Sequence, residues 1–508
     1  MIKKIKIFFF ISFVPIILGT ISSFSLPPYS FIILNFITFP LLFYIYLLNY
    51  KNGKWISFLL GWSFGFGYFI SSLYWVANSL TFDENLKSYI PFAIFLIPLF
   101  LGLFYGVVTI VCYFLKLKKD LISILIFSLV FSLVEYARSL LFGGFPWNLI
   151  VFSLSEYSNL LQILSYIGTY SLNLITITIF FLPYIFFVNQ NINSKIYTSL
   201  VSIILITGIY LFGIFQIENF NKRKEVLLNA KLKIIAPKIE IEEYYNYNNL
   251  PLILDYLFRL SDGKQNEETI FIFPEGVLTG IDLNNLKEYK SKFQNNFSDK
   301  HKLILGINSS IKNNIYNSLV IIDNNINIID IYNKNKLVPF GEFLPLENIF
   351  SKIGFKKVTQ GYQSFSSGDK RKVLEINNLR ILPLICYEII YSGKLNNEKQ
   401  QFDFILNISE DGWFKQSIGI EQHFFHSKFR AIEEGKNIIR VANNGITAQI
   451  DPVGQVINKI ESTDKGVMEV QGFKKTNNTL FSIHGNKLFF YFILIYISLI
   501  FFLKFIRR

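Results

Sequence analysis

Three polar residues stand directly after apolar, strand-like runs: Glu275 ends IFIFPEG, Lys334 lies in IYNKNKLVPFGEFLP and Cys386 ends ILPLICYE. Their chemistries are complementary. A carboxylate can take a thiol proton, an ammonium can stabilise a developing oxyanion, and a thiolate is a nucleophile. Such a trio opens esters or amides through an acyl-enzyme. Each member also has an ordinary structural alternative, because a lone Cys on a buried strand is usually a small core residue and a loop Glu or Lys is usually solvated. The chain has two cysteines, Cys112 and Cys386, and Cys112 falls inside an apolar run, so no disulfide framework accounts for Cys386.

The elements that must hold this trio lie between residues 218 and 486, where the composition turns to Asn, Lys, Glu and Asp. KLKIIAP, ETIFIFPEG, KLILGINS, NSLVIID, NINIIDIYN, LRILPLICYE, FDFILNIS, NIIRVANNG and TAQIDPVG read as buried strands, and EQHFFHSKFRAIEEGK as a helix. The alternation predicts an α/β domain, a sheet covered by helices. The rest of the chain is of another kind. Of 508 residues 51% are hydrophobic and the mean hydropathy is +0.38, above the range of ordinary soluble domains. Apolar runs near 6–24, 30–48, 55–80, 88–115, 121–141, 161–188 and 196–216, and an eighth that closes the chain, are each long enough to cross a hydrocarbon core of roughly 30 Å.

The formal charge of +13 is distributed by connection, which argues against nucleic acid as the partner. Lys3, Lys4 and Lys6, then Lys51 and Lys54, Lys116, Lys118 and Lys119, Lys195, and finally Lys504, Arg507 and Arg508 all fall on one side of the expected spans. Cytoplasmic loops collect Lys and Arg. Both termini are therefore expected in the cytoplasm and the polar domain outside it. The basic start and apolar core of the first run resemble a signal peptide, but no small-residue cleavage site follows, which predicts an uncleaved first helix.

The strings FPEG, YNKNKLVPFGEFLP, LICYE, DGWF ahead of EQHFFHSKFRAIEEGKNIIRVANNGITAQIDPVG, and TLFSIHGN resemble the apolipoprotein N-acyltransferase family, membrane-embedded members of the nitrilase superfamily. FGFGYFISSLYWV and VEYARSLLFGGFPWNLIVFSL are similar to its membrane half, and LVPFGE after a Tyr-x-Lys is the most specific element. The resemblance implies a multi-domain chain: a seven-span transmembrane domain over 1–217, an extracytoplasmic αββα nitrilase-like sandwich over 218–486, and an eighth transmembrane helix over 487–508. It implies Glu275 as general base, Lys334 as oxyanion stabiliser and Cys386 as nucleophile. Lys336 is the rival of Lys334, which holds the family's place two residues after Tyr332. Glu342 is implied as a tuning residue and Glu388 as an auxiliary one, while Tyr387 and Trp413 are candidates to line an acyl pocket. Phe340, Phe343, Phe350 and Phe355 are candidates for an apolar lid that keeps water from the thioester.

The implied reaction is ping-pong. A phospholipid, typically phosphatidylethanolamine, acylates Cys386, and the α-amine of a diacylglyceryl-cysteine at a lipoprotein N-terminus then takes the acyl group. The enzyme is expected as a cofactor-free monomer in the bacterial inner membrane. No metal is expected either, since His301, His423, His426 and His484 show no ligand spacing completed by Cys or carboxylate.

Two departures stand out. KLKIIAPKIEIEEYY lacks the Gln-Gly-Asn run and following Trp of the family, and the family's Asn-Asp before Trp-Phe reads SEDGWF, so Asp411 and Trp413 are expected away from the trio. In the fifth run Glu135 and Arg138 are one turn apart and are expected to satisfy each other. Two other functions compete: a membrane-anchored amidase that passes the acyl group to water, and a transporter or receptor whose outer domain only binds. The spans lack the paired Gly- or Pro-interrupted halves of carriers.

Overall fold

The computed structural model describes residues 2–188, 191–245, 247–263, 267–344, 364–396 and 398–506; Phe350 and Phe355 of the expected lid lie outside them. The chain forms two compact units, one of Met1–Ala77, Ser88–Asn219 and Thr479–Arg508, the other of Asn78–Lys87 and Phe220–Asn478.

The first unit is helical. It contains α1 (Ile2–Ser23), α2 (Asn35–Asn49), α3 (Lys54–Leu73), α4 (Ile90–Phe114), α5 (Leu121–Arg138), α6 (Leu164–Phe181), α7 (Ile192–Asn221) and a last helix, Lys487–Ile506. Among the described residues, seven helical stretches are long and apolar enough to cross a membrane, and the apolar part of α1, Phe10–Ser23, is shorter. In hydrocarbon a helix keeps every backbone hydrogen bond internal, which is why these sequences take no other form. Small residues let the helices close up. A Cβ on Gly61 of α3 would lie 2.1 Å from the Tyr105 carbonyl oxygen of α4, and one on Gly67 would lie 2.0 Å from that of Ile16 in α1.

Glu135 and Arg138 are buried in this unit. Glu135 Oε1 accepts from Tyr105 Oη at 2.9 Å and from Arg138 Nη2 at 3.4 Å, and Oε2 accepts from Asn173 Nδ2 at 2.6 Å. Arg138 Nη2 also donates to the Asn148 carbonyl at 3.1 Å. The pair is thus a structural knot that ties α4, α5 and α6 to the turn before Ile150, with both Glu135 oxygens and the Arg138 Nη2 bonded inside the protein.

The second unit is a two-sheet sandwich. Its strands are β1 (Glu225–Ala236), β2 (Thr269–Ile272), β3 (Leu278–Asp282), β4 (His301–Ile311), β5 (Asn314–Asp323), β6 (Ile328–Asn333), β7 (Leu374–Ile376), β8 (Leu379–Ile385), β9 (Phe404–Glu410), β10 (Asn437–Asn443), β11 (Thr447–Ile450), β12 (Val456–Ile460) and β13 (Gly466–Lys474). One sheet runs β13-β1-β2-β4-β5-β6, with β3 also on β4; the other runs β12-β11-β10-β9-β8-β7. β1 packs on β10 and β5 on β8, so the sheets lie face to face. The middle of each is parallel, β1, β2 and β4 in one and β8, β9 and β10 in the other.

A helix covers each sheet. α8 (Leu250–Ser261) places Leu250, Ile253, Leu254, Leu257 and Phe258 on one stripe against Ile235, Phe271, Phe293 and Phe297. Each such side chain contributes roughly 1.5–3 kcal/mol by leaving water. Pro251 fits the first turn, and the helix stops at Asp262 in a left-handed conformation, φ 44°. α9 (Ile418–Glu434) packs on β10 and β11; Ser417 caps it by accepting from Gly419 N, and Gly435 ends it at φ 61°.

Asn78–Lys87, between α3 and α4, is part of this second unit. Asn78 Nδ2 donates to the Phe414 carbonyl at 2.9 Å, and the Phe82 ring meets Trp413 edge-on at 5.3 Å.

Candidate active site

Glu275 follows β2 by three residues, Lys334 directly follows β6 and Cys386 directly follows β8, so three strand ends deliver the trio. Glu275 Oε1 accepts from Lys334 Nζ at 3.3 Å and from Asn317 Nδ2 at 2.7 Å, while Oε2 accepts from the Glu410 main-chain N at 2.9 Å. Lys334 Nζ donates to Glu342 Oε1 at 2.9 Å. Glu342 is held in turn by Asn317 Nδ2 at 2.9 Å and by Val338 N on its other oxygen at 2.8 Å. Two carboxylates therefore share one buried ammonium.

The electrostatics follow from this crowding. Burial pushes the Glu275 carboxyl up, Lys334 pulls it down and Glu342 pushes it up again, with a net rise. Burial alone would depress Lys334, yet the Glu275 and then the Glu342 carboxylate hold its ammonium well above the ordinary lysine range. Lys334 stays charged at neutral pH. Burial and then Glu275 raise the Cys386 thiol far above its ordinary value, against the opposing pull of Lys334. The resting sulfur is consequently protonated, and it needs a base before it can attack.

Cys386 opens a short 3-10 turn, Cys386–Ile390, with φ 48°, a left-handed backbone rarely taken by a non-glycine residue. Glu388, fully buried in that turn, joins the two loops. Its Oε2 accepts from Ile385 N at 2.9 Å; its Oε1 accepts from Tyr332 Oη at 2.7 Å, Asn335 N and Lys336 N at 3.1 Å each, and Arg371 Nη2 at 2.8 Å. The rival lysine is thus present only through its backbone in this network, whereas Lys334 points its ammonium at both carboxylates. Tyr387 is buried beside the Tyr391 ring, 5.5 Å away and edge-on. Trp413 is half-buried against Phe82 and the core under α8. Phe340 is exposed at φ 62°, and Phe343, whose carbonyl accepts from Phe340 N at 2.8 Å, is half-buried.

Sequence reasoning missed Asn317, whose one amide nitrogen donates to both Glu275 and Glu342. It also set Asp411 apart from the trio, which the structure corrects. An Asp411 carboxylate oxygen, a His423 ring nitrogen and Cys386 Sγ lie within 4.8 Å of one another. β9 ends at Glu410, so Asp411 leaves the sheet beside the turn after β8, its parallel neighbour. The signal was the pair of acids closing an apolar strand in SEDGWF. Such a Cys-Asp-His group has the donors of a metal site, but the Arg440 guanidinium donates to Asp411 Oδ2 at 2.5 Å and lies 3.1 Å from His423 Nδ1. That guanidinium already supplies the positive charge a metal ion would bring.

Residues 18–182 match the model of the apolipoprotein N-acyltransferase N-terminal domain, and residues 264–471 match that of carbon-nitrogen hydrolases. The apolipoprotein N-acyltransferase of Rickettsia prowazekii is 33% identical over 487 residues, which cover 93% of this chain and 94% of that one. The chain belongs to the apolipoprotein N-acyltransferase family. The family's enzyme from Rhizobium rhizogenes is 29% identical over 89% of this chain and 88% of its own. Among solved structures, an amidase from Nesterenkonia sp. aligns with 49% of this chain and 94% of its own at 13% identity, with a TM-score of 0.34. In this N-acyltransferase family member the stretch that matches carbon-nitrogen hydrolases contains β2 to β12 and all three of Glu275, Lys334 and Cys386.

Proposed function

We propose that this chain is an apolipoprotein N-acyltransferase that carries a fatty acyl group on Cys386, taking it from a membrane phospholipid and passing it to the N-terminal α-amine of a diacylglyceryl-cysteine. The observation that carries this reading is the buried Glu275–Lys334–Glu342 cluster, gathered at strand ends beside a strained cysteine, in a chain whose other unit is built of apolar helices. In the first half-reaction Glu275 takes the Cys386 proton and the sulfur attacks the ester carbonyl. The Lys334 ammonium faces the oxyanion, and Glu275 returns the proton to the departing lysophospholipid oxygen as the C–O bond breaks. In the second the amine attacks the thioester, loses a proton to Glu275, and the proton ends on the sulfur as the C–S bond breaks.

Orientation is part of the proposal. Asn78–Lys87, after the third span, belongs to the same compact unit as Phe220–Asn478, which supports one side of the membrane for both. The Lys-rich connections fall on the other side, so the sandwich faces outward and the termini lie in the cytoplasm of a bacterial inner membrane.

The test uses the full-length protein in detergent, incubated with a phospholipid of known acyl chains. Mass spectrometry is expected to find one acyl group on the Cys386 peptide, absent in Cys386→Ala, and a diacylated lipopeptide is expected to remove it by becoming triacylated. An adduct elsewhere, or release to water without lipopeptide acylation, would overturn the reading.

A further inference from the structure

Behind the sulfur lies a second polar cluster for which the two half-reactions above give no use. Ser409, at the end of β9, is fully buried. Its hydroxyl donates to Asp411 Oδ1 at 2.7 Å, and the parallel register that pairs Ile385 with Ile408 sets Ser409 beside Cys386, whose ionised sulfur the hydroxyl favours. Asp411 Oδ1 further meets His423 Nδ1 at 2.9 Å, and Oδ2 takes the Arg440 Nη2 bond. Arg440 Nη1 donates to Asn407 Oδ1 at 2.8 Å, and Asn407 Nδ2 reaches back to the Cys386 carbonyl at 3.4 Å. The His423 ring also faces that carbonyl. The cluster thus grips the nucleophile both at its strained backbone and, through Ser409, at its sulfur.

We infer that Ser409 is a further catalytic residue of the acyl-transfer step, and that Asp411, with His423 and Arg440 behind it, is the positioning residue that parks and releases its hydroxyl hydrogen. With the thiol protonated, the Ser409 hydroxyl points at Asp411 and leaves its oxygen lone pairs toward the S–H. As Glu275 withdraws the thiol proton and charge builds on sulfur, the hydroxyl turns from Asp411 to Sγ. No proton changes owner at Ser409; only its direction changes. Asp411 can give up that bond because the Arg440 guanidinium remains on it. Burial would raise the Asp411 carboxyl, yet Arg440 and then His423 hold it below the usual carboxylate range, so it stays an acceptor throughout. Once the thioester forms, the sulfur is neutral and a poor acceptor, and the hydroxyl returns to Asp411. The bond is therefore stronger to the partly anionic sulfur of the transition state than to the resting thiol, and that difference lowers the barrier.

The inference rests on Cys386 as the acylated residue, and the test separates the two. Alkylation of Cys386 by iodoacetamide, followed across pH by peptide mass spectrometry on the full chain in detergent, needs no acyl donor. The groups facing the thiol are Glu275 and Lys334 from one sheet's loops, Ser409 and Asp411 from the end of β9, and His423 from α9. Ser409→Ala is expected to move the alkylation profile upward by about one pH unit and to slow thioester formation about 10- to 100-fold. Ser409→Thr, which keeps the hydroxyl, is expected on the wild-type profile. An Ala variant that alkylates and acylates as the wild type does, or a Thr variant that behaves as Ala, would overturn the assignment. If wild-type Cys386 never takes an acyl group while the Ala shift appears, the acyl-transfer reading falls and the Ser409–sulfur contact stands.

Discussion

Glu388→Gln removes one carboxylate oxygen from a group that receives five donors, and the consequence can be worked out oxygen by oxygen. The retained amide oxygen is expected to stay where Tyr332 Oη, Asn335 N, Lys336 N and Arg371 Nη2 converge. The new NH2 then faces Ile385 N–H, donor against donor, at the residue just before Cys386. Arg371, only 9% exposed at its side chain, loses its counter-charge. Breaking one side of a buried ion pair costs about 3–5 kcal/mol, and an unsatisfied buried donor costs about 1–3 kcal/mol. These terms overlap, so the expected loss is about 4 kcal/mol, enough to lower the melting temperature by roughly 10 °C in a domain of this size. The same bonds align the backbone after Lys334 and before Cys386, so thioester formation should fall by at least about 100-fold, the scale on which small misplacements act. Differential scanning fluorimetry in detergent and the mass-spectrometric acylation assay read the two effects. Lys372→Ala is the internal control: its partner Asp330 is surface-accessible and the lysine is 52% exposed, so both readouts should hardly move. A Glu388→Gln protein that melts and acylates like the wild type would refute the reasoning.

Two further predictions concern Glu434 and Gly306. Burial and then Glu433 push the Glu434 carboxyl up to about 7. A folded value above the unfolded one means that the folded chain binds this proton more tightly. The group is neutral to stability at low pH, where both states are protonated, and destabilises increasingly as pH rises through about 7. Glu434→Gln should therefore raise the melting temperature at about pH 8, by up to roughly 3 kcal/mol in stability, and leave it unchanged near pH 4; equal effects at both would sink the argument. At Gly306 a Cβ would sit 2.6 Å from Glu275 Cα and 2.7 Å from the Pro274 carbonyl oxygen, both backbone atoms that cannot swing aside. Gly306→Ala should cost about 1–3 kcal/mol and displace Glu275, so that acylation falls further than stability does; acylation at the wild-type rate would count against it.

The trio could be read from the sequence because each member sits where a run of β-branched and apolar residues stops, and a strand end is where an α/β sheet exposes reactive groups. Asn317 could not, because its reach to Glu275 and Glu342 depends on β5 meeting β6 with Ser318 opposite Asn333, a register no local pattern announces. Asp411, His423 and Arg440 are scattered over a strand exit, a helix and the next strand. They meet because β10 lies parallel to β9 with Arg440 opposite Asn407 while α9 doubles back between them. β13 escaped notice since GVMEVQGFK mixes Gly, Glu and Gln among its apolar residues, yet it pairs with β1 from the far end of the domain. The helical unit was the most legible, because an unbroken apolar run has few other fates in lipid.

The membership of Asn78–Lys87 in the sandwich bears on how the chain is made. Synthesis delivers this short piece long before β1, so it must wait, already tethered between α3 and α4, for the surface it will join. A soluble fragment cut at Phe220 would leave Trp413 without the Phe82 ring and the Phe414 carbonyl without Asn78. Any attempt to obtain the catalytic half alone therefore has to supply that decapeptide as well, or accept a gap in its wall.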